Sequence, residues 1–367
     1  MLGLTWDRMM KIAMHAFYKL LLLIPLLFAL AACSSLPPAS LPPAHYTAAY
    51  KAEGRLLRTP DNLTLFGQWW VPPEQTPAKG VVLLVHGTAM HSGFYAPWAE
   101  ALAFHGYAVF GIDLRGWGQS QGFGRRGYVR NYDEYVRDVG LAYREVRRRY
   151  PEAPVFLEGE SLGGAVALLT ATTAQLPFAG LVLNAPAVKP NPGLGFLRLP
   201  GGLTGFGLWA AGTAGKVWPN FPVIPLDVPV ATEQAMKAVF FDDYARQRFL
   251  DDPLNTHTAL PAAYITGIQE ASARLQDNLV NVQLPFIVLQ GDKDNLVPPA
   301  SSELLMEKAG ATDKTLKLYK GMSHTTLHDK GHEQVWADTL AWLDAHVAAL
   351  QAVETKEASV PVAAAAH

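Results

Sequence analysis

The chain has 367 residues, half of them hydrophobic and 17% charged, with 31 Gly, 27 Pro and a single Cys. That length suits one large α/β domain carrying an insertion, or two ordinary domains, and the composition excludes a collagenous, low-complexity or generally disordered protein. One cysteine excludes a disulfide scaffold and any Cys-x-x-Cys metal site, and a net charge of −2 gives no electrostatic basis for binding nucleic acid.

The first segment reads as an export signal. Arg8, Lys11 and Lys19 give a positive start, and residues 20–31 (LLLIPLLFALAA) form an apolar run too short for a comfortable membrane span. The run ends in Leu30-Ala31-Ala32-Cys33, which resembles the bacterial lipoprotein signal. That resemblance implies removal of residues 1–32, lipidation of Cys33 and a stable anchor, since several acyl chains hold where one holds only marginally. Ser34, a non-Asp residue, implies outer-membrane sorting in a bacterial envelope, with the folded domain outside the cytoplasm. Residues 33–50 are proline-rich and read as a semi-extended tether.

Beyond the tether, strand and helix patterns alternate. Residues 54–58 and 62–71 pattern as strands joined across Thr59-Pro60-Asp61. Residues 81–85 (VVLLV) form a short continuous apolar run, as in a strand buried on both faces. A helix is expected over 94–104, a strand over 107–112 and a helix over 132–150. This last helix turns Tyr135, Val139, Tyr143 and Val146 inward and Arg144, Arg147, Arg148 and Arg149 outward. A strand at 155–157, a helix at 163–173 and a strand at 181–183 follow. After a long interruption come strand 286–289, helix 301–308, strand 316–319 and helix 333–349.

The alternation predicts an α/β fold with a mainly parallel sheet covered by helices. It divides the chain into core residues 51–185, an insertion at 186–283, core residues 284–350 and an Ala-rich tail at 351–367 that reads as frayed. The insertion is far longer than a normal loop and is expected to be a cap or lid. Its stretch 193–215, with Phe206 and Trp209, reads either as a buried cap core or as an apolar rim that touches lipid and lines an acyl tunnel.

One motif carries the chemistry. The pattern G-x-S-x-G occurs twice. Around Ser120 it lies in a polar, Gly-rich loop with no helix after it. Around Ser161 an apolar strand feeds directly into Gly159-Glu160-Ser161-Leu162-Gly163 and a small-residue helix leaves it. That strand–turn–helix setting is what a serine on a strained, exposed turn requires. Such a nucleophile needs a base and an acid that orients the base, placed after later strands. Asp292 and Asp294 compete for the acid at the end of strand 286–289. His324 follows strand 316–319, at a carboxyl end where open α/β sheets bind ligands. The backbone N–H groups of Leu162 and Thr88 are the candidate oxyanion donors. His86 reads as a structural residue behind that turn. His324, His328 and His332 recur every fourth residue, but Gly331 breaks any helix and no carboxylate or cysteine pattern supports a metal.

Five stretches together resemble the monoglyceride lipase family, which includes lysophospholipase-like esterases and serine aminopeptidase-type hydrolases. They are residues 86–122, 128–140, 154–168 (PVFLEGESLGGAVAL), 285–299 (PFIVLQGDKDNLVPP) and 313–324 (DKTLKLYKGMSH). The resemblance implies an α/β-hydrolase fold with an inserted cap. It assigns Ser161 as nucleophile, His324 as base, Asp294 rather than Asp292 as acid, and Thr88 and Leu162 as oxyanion donors. Asp113 reads as structural, and Glu160 stands where many animal members carry His and plant-like members often carry Glu. No cofactor or metal is implied. The expected activity is hydrolysis of membrane-derived lipid esters through an acyl-enzyme. A lysophospholipase, a small-ester esterase and a catalytically silent binding lipoprotein are the alternatives.

Overall fold

The computed structural model describes residues 53–73, 77–191, 213, 215–224, 226–227 and 229–358. The export signal, Cys33, the tether, Phe206 and Trp209 with most of the apolar stretch, and residues 359–367 lie outside them.

Strand β1 (Glu53–Arg58) pairs antiparallel with β2 (Thr64–Trp70), and β2 pairs antiparallel with β4 (Tyr107–Ile112). Beyond this ribbon, β3 (Gly80–Val85), β4, β5 (Val155–Glu160), β6 (Gly180–Asn184), β9 (Phe286–Gly291) and β10 (Lys314–Tyr319) pair only in parallel. The sheet order is β1-β2-β4-β3-β5-β6-β9-β10. In β3, β4, β5, β6 and β9 every position is buried, which is why β3 and β4 read as continuous apolar runs, while β5 and β9 bury Glu158, Glu160 and Gln290 near their carboxyl ends. The outer strand β10 exposes Lys317 and Leu318 and carries two lysines, which discourages edge-to-edge pairing.

Helices cover both faces. A 3₁₀ turn at Ser92–Tyr95 leads into α1 (Ala96–Phe104), so the helix predicted from residue 94 starts later, at a Pro-containing first turn. Helix α2 (Tyr132–Arg149) carries Asp133 and Glu134 in its first turn and three arginines in its last, matching its dipole. Two of those arginines are not free in solvent: Arg147 donates to Pro151 O at 3.0 Å and Ala153 O at 2.7 Å, and Arg149 lies 5.0 Å over the Trp69 ring and pairs with Glu53 at 2.9 Å. Helix α3 (Leu162–Thr173) packs against β5 and α2. Alternation along β5 sorts the faces: Phe156 and Glu158 meet Trp342 and Trp98, so α1 and the C-terminal helix share one face.

The insertion between β6 and β9 includes β7 (Pro222–Ile224), α4 (Pro229–Val239), α5 (Asp243–Asp251), β8 (Leu260–Pro261) and α6 (Ala262–Asn278). Strands β7 and β8 form a two-stranded antiparallel ladder, and α6 packs on α3. Helix α7 (Pro299–Lys308) and helix α8 (His332–Ala358) complete the fold. Residues 351–358 (QAVETKEA), the first part of what reads from sequence as a frayed tail, continue α8, consistent with the good helix propensity of Ala, Gln, Glu and Lys. Among the described residues no helix is long and apolar enough to cross a membrane.

Candidate active site

The turn between β5 and α3 holds Ser161 at φ 54°, ψ −111°, a conformation that costs a non-Gly residue about 1–3 kcal/mol. Its neighbours hold it there. Ser161 N–H donates to Asn184 O at 2.8 Å, and Ser161 O accepts from Ala187 N at 3.0 Å and Ala165 N at 3.1 Å. A Cβ at Gly159 would sit 2.3 Å from Gly163 O, and one at Gly163 would sit 2.1 Å from Val85 O. Only glycine permits this approach of helix to sheet.

The two competing aspartates separate by partner. Asp294 Oδ2 lies 2.7 Å from His324 Nδ1, and its Oδ1 accepts from the N–H groups of Leu296 and Val297, each at 2.9 Å. Asp292 instead accepts from Gly321 N at 2.6 Å and lies near Lys293, partly exposed. Burial pushes the His324 pKa down, but the Asp294 charge and hydrogen bond outweigh it, with Glu160 assisting, so it lies above the ordinary histidine value. Gln290, which sequence reasoning missed, donates from Nε2 to Asp294 Oδ2 at 3.0 Å and accepts from Ser302 Oγ at 2.7 Å. Its signal is a polar residue, fully buried, at the end of an apolar strand.

Ser161 and His324 line one cavity, together with Gly87, Thr88 and Glu160. The rest of the wall is largely apolar: Met90 from the loop after β3, then Ile224, Leu226, Met236, Val239, Phe249 and Ile268 from the insertion, and Leu296 and Val297 beside Asp294. Among the described residues no hydrogen-bond acceptor takes the N–H of Thr88 or of Leu162, the first residue of α3. Such first-turn N–H groups favour negative charge. The Thr88 hydroxyl shares a 2.7 Å hydrogen bond with Tyr264 OH of α6.

Glu160 is buried on the cavity wall. Tyr95 OH donates to its Oε2, while Oε1 has no partner among the described residues. Burial pushes its carboxyl up to about 7, against the Tyr95 hydrogen bond and the His324 charge. His328 is buried beside it with Nε2 3.8 Å from Glu160 Oε2, its pKa pushed well down, first by burial. His332 bonds through Nδ1 to Asp329 O instead. Among the described residues no three His, Cys, Asp or Glu side chains converge to hold a metal ion.

The residues read as structural behave so. His86 is buried with Nδ1 donating to Gly87 O at 2.7 Å and Nε2 accepting from Leu114 N at 3.0 Å. Burial brings its pKa down to about 4. Asp113 accepts from Ser92 N, Ser92 Oγ and Gln119 N at 2.6–2.8 Å. The second G-x-S-x-G serine, Ser120, spends its hydroxyl on Asp113 O at 2.5 Å and Phe66 N at 2.8 Å.

A mainly parallel sheet, a strained serine between strand and helix, and an Asp–His pair after the last two strands define an α/β-hydrolase. Residues 76–331 match the family described as serine aminopeptidase, S33. The chain therefore belongs to that family, on the side where monoglyceride lipases stand, and is a carboxylic-ester hydrolase. It is 34% identical to the monoglyceride lipase of Homo sapiens over 264 residues, covering 72% of this chain and 80% of that one. It is 29% identical to the monoacylglycerol lipase of Mycolicibacterium smegmatis over 282 residues, covering 76% and 92%. The crystal structure of Paleococcus ferrophilus monoacylglycerol lipase superposes with a TM-score of 0.64 at 25% identity, covering 77% of this chain and 99% of that one.

Proposed function

We propose that the protein hydrolyses membrane-derived lipid esters of the monoacylglycerol type, with Ser161, His324 and Asp294 as the triad. The apolar cavity wall contributed by the insertion beside Ser161 carries this reading. Ser161 Oγ attacks the acyl carbonyl carbon and its proton passes to His324 Nε2. The Nδ1–H of His324 stays on Asp294 Oδ2, which fixes the tautomer and balances the imidazolium charge. The N–H groups of Thr88 and Leu162 receive the oxyanion. The tetrahedral species collapses, the alcohol leaves with the proton from His324, and water then attacks the acyl-enzyme with His324 again as base. The released products are the fatty acid and regenerated Ser161.

Each methylene removed from water by such a wall adds up to about 0.8 kcal/mol. When that energy is realised in the transition state, kcat/KM rises with acyl length until the cavity is full. The test is a series of p-nitrophenyl esters and monoacylglycerols from acetyl to decanoyl, with Ser161→Ala as control and fluorophosphonate labelling of Ser161. A flat or falling profile refutes the lipid reading in favour of a small-ester esterase. Absence of labelling refutes the triad.

The same proposal places the enzyme at a bacterial membrane through lipidated Cys33, supported by the Leu30-Ala31-Ala32-Cys33 signal. The intact mass of the mature N-terminus tests this, and an unmodified Cys33 thiol refutes it.

A further inference from the structure

The insertion is tied to both loops that would carry the reaction. Val239 ends α4, so its carbonyl is among the last four of the helix, which lack an intrahelical partner. Val239 is also buried, and a buried carbonyl needs a donor. Thr325 Oγ1 donates to Val239 O at 3.1 Å, and Ser323 Oγ lies 2.7 Å from the same atom. Ser323 and Thr325 are both buried and flank His324. The Ser323 hydroxyl has one proton and a second acceptor in Asp329 Oδ2. Among the described residues Val239 O is the only acceptor of the Thr325 hydroxyl.

A second set of ties reaches the loop of Thr88. The residue after α5, Asp252, lies 2.9 Å from His91 Nε2 through Oδ2. His91 Nδ1 accepts from Gly93 N at 3.1 Å, so the ring proton sits on Nε2 and is donated to Asp252. Thr256 N donates to Ala89 O at 2.8 Å, and Ala89, next to Thr88, holds a left-handed φ of 64°. Arg248 of α5 donates to Phe94 O and lies 4.1 Å over the Phe94 ring. The base loop and the oxyanion loop are therefore both fastened to the segment 239–256, not to the sheet alone.

Resting on the reaction assigned above, we propose that the cap positions the catalytic machinery: Thr325 and Asp252 are positioning residues through which the seating of segment 239–256 sets turnover. His324 acts as base in both acylation and deacylation. A displaced His324 therefore slows both steps together, which lowers kcat and leaves KM in place.

The experiment uses the full chain, with p-nitrophenyl butyrate as substrate and kcat counted per Ser161 labelled to completion by a fluorophosphonate. Thr325→Val keeps the shape and removes the hydroxyl. It is expected to lower kcat about tenfold, in keeping with the cost of small misplacements, with KM within about twofold. Thr325→Ser is expected to restore kcat. Asp252→Ala is expected to lower kcat similarly, and Asp252→Asn, whose one carbonyl oxygen can serve His91 Nε2–H or the Leu254 N–H that Asp252 also accepts at 2.9 Å, to restore it in part. The charged and titratable groups facing His324 are Asp294 after β9, Glu160 at the end of β5, and His328 and Asp329 on its own loop. A looser contact with Asp294 lets the His324 pKa fall. The acid limb of kcat/KM then moves to lower pH in Thr325→Val and stays put in Asp252→Ala.

A merely structural role lowers the melting temperature and the labelled fraction but leaves kcat per labelled site and the acid limb unchanged. That result overturns the proposal, as does a change in KM alone or a failure of the conservative variants to rescue. Should Thr325→Val not fold, the Asp252 pair decides. A wild-type protein that neither labels at Ser161 nor cleaves esters refutes the assigned reaction. Wild-type activity matched by the variants refutes only the positioning role.

Discussion

Replacing Asp294 by Asn changes one atom and tests the polarity of the His324 hydrogen bond. The Asn carbonyl oxygen can keep the N–H groups of Leu296 and Val297, both at 2.9 Å. Its amide NH2 then faces His324 Nδ1 at 2.7 Å and Gln290 Nε2 at 3.0 Å. Nδ1 must accept, so the imidazole proton moves to Nε2, and the nitrogen meant to take the Ser161 proton already holds one. The amide also opposes the donor of Gln290. A wrong tautomer in such a triad costs about 10⁴-fold in kcat. That corresponds to about 5.4 kcal/mol of barrier. The assay is p-nitrophenyl butyrate hydrolysis per labelled Ser161, with the melting temperature measured alongside. A variant within tenfold of wild type, equally stable, would refute the role given to Asp294.

Two further outcomes follow from the same geometry. Burial holds the Glu160 carboxyl at about 7, against an ordinary value of 4.5, so the folded state keeps a proton that the unfolded chain releases first. Stability is therefore fully present below about 4.5 and is lost as pH rises towards 7. Glu160→Gln is expected to shrink the difference between urea midpoints at acid and neutral pH. Part of it should remain, because burial also brings Glu158 to about 7, and an unchanged difference counts against the buried-carboxyl account. Gly163→Ala puts a Cβ 2.1 Å from Val85 O, with backbone on both sides. The expected cost is about 3 kcal/mol or more. In a domain of about 300 residues that lowers the melting temperature by about 5 °C or more, and a variant melting like wild type refutes the close approach.

The strand–helix alternation, the turn that holds Ser161 and the placing of His324 after the last strand were legible because each is local. Apolar runs name buried strands, and the glycines around Ser161 follow from contacts inside one strand–turn–helix unit. Resemblance alone chose Asp294 over Asp292, and the reason became visible only when β9 and β10 came side by side. Asp294 then meets His324, whereas Asp292 turns to Gly321. The supporting shell was not legible. Tyr95 on Glu160, Tyr264 on Thr88 and Val239 O between Ser323 and Thr325 join residues far apart in the chain, and Gln290, four residues before Asp294, turns to it only once the strand end is folded against Ser302. The end of α8 was misread as part of a frayed tail because residues 351–358 (QAVETKEA) carry helix propensity but no apolar periodicity, and so no packing signal. Sequence by itself determined the fold class, the strand–turn–helix setting of Ser161 that Ser120 lacks, and a histidine placed after the last strand, since periodicity and turn chemistry are written locally. Only the tertiary structure decided which aspartate holds His324 and what the insertion grips, because hydrogen-bond partners are fixed by distance in space and direction, not by position along the chain.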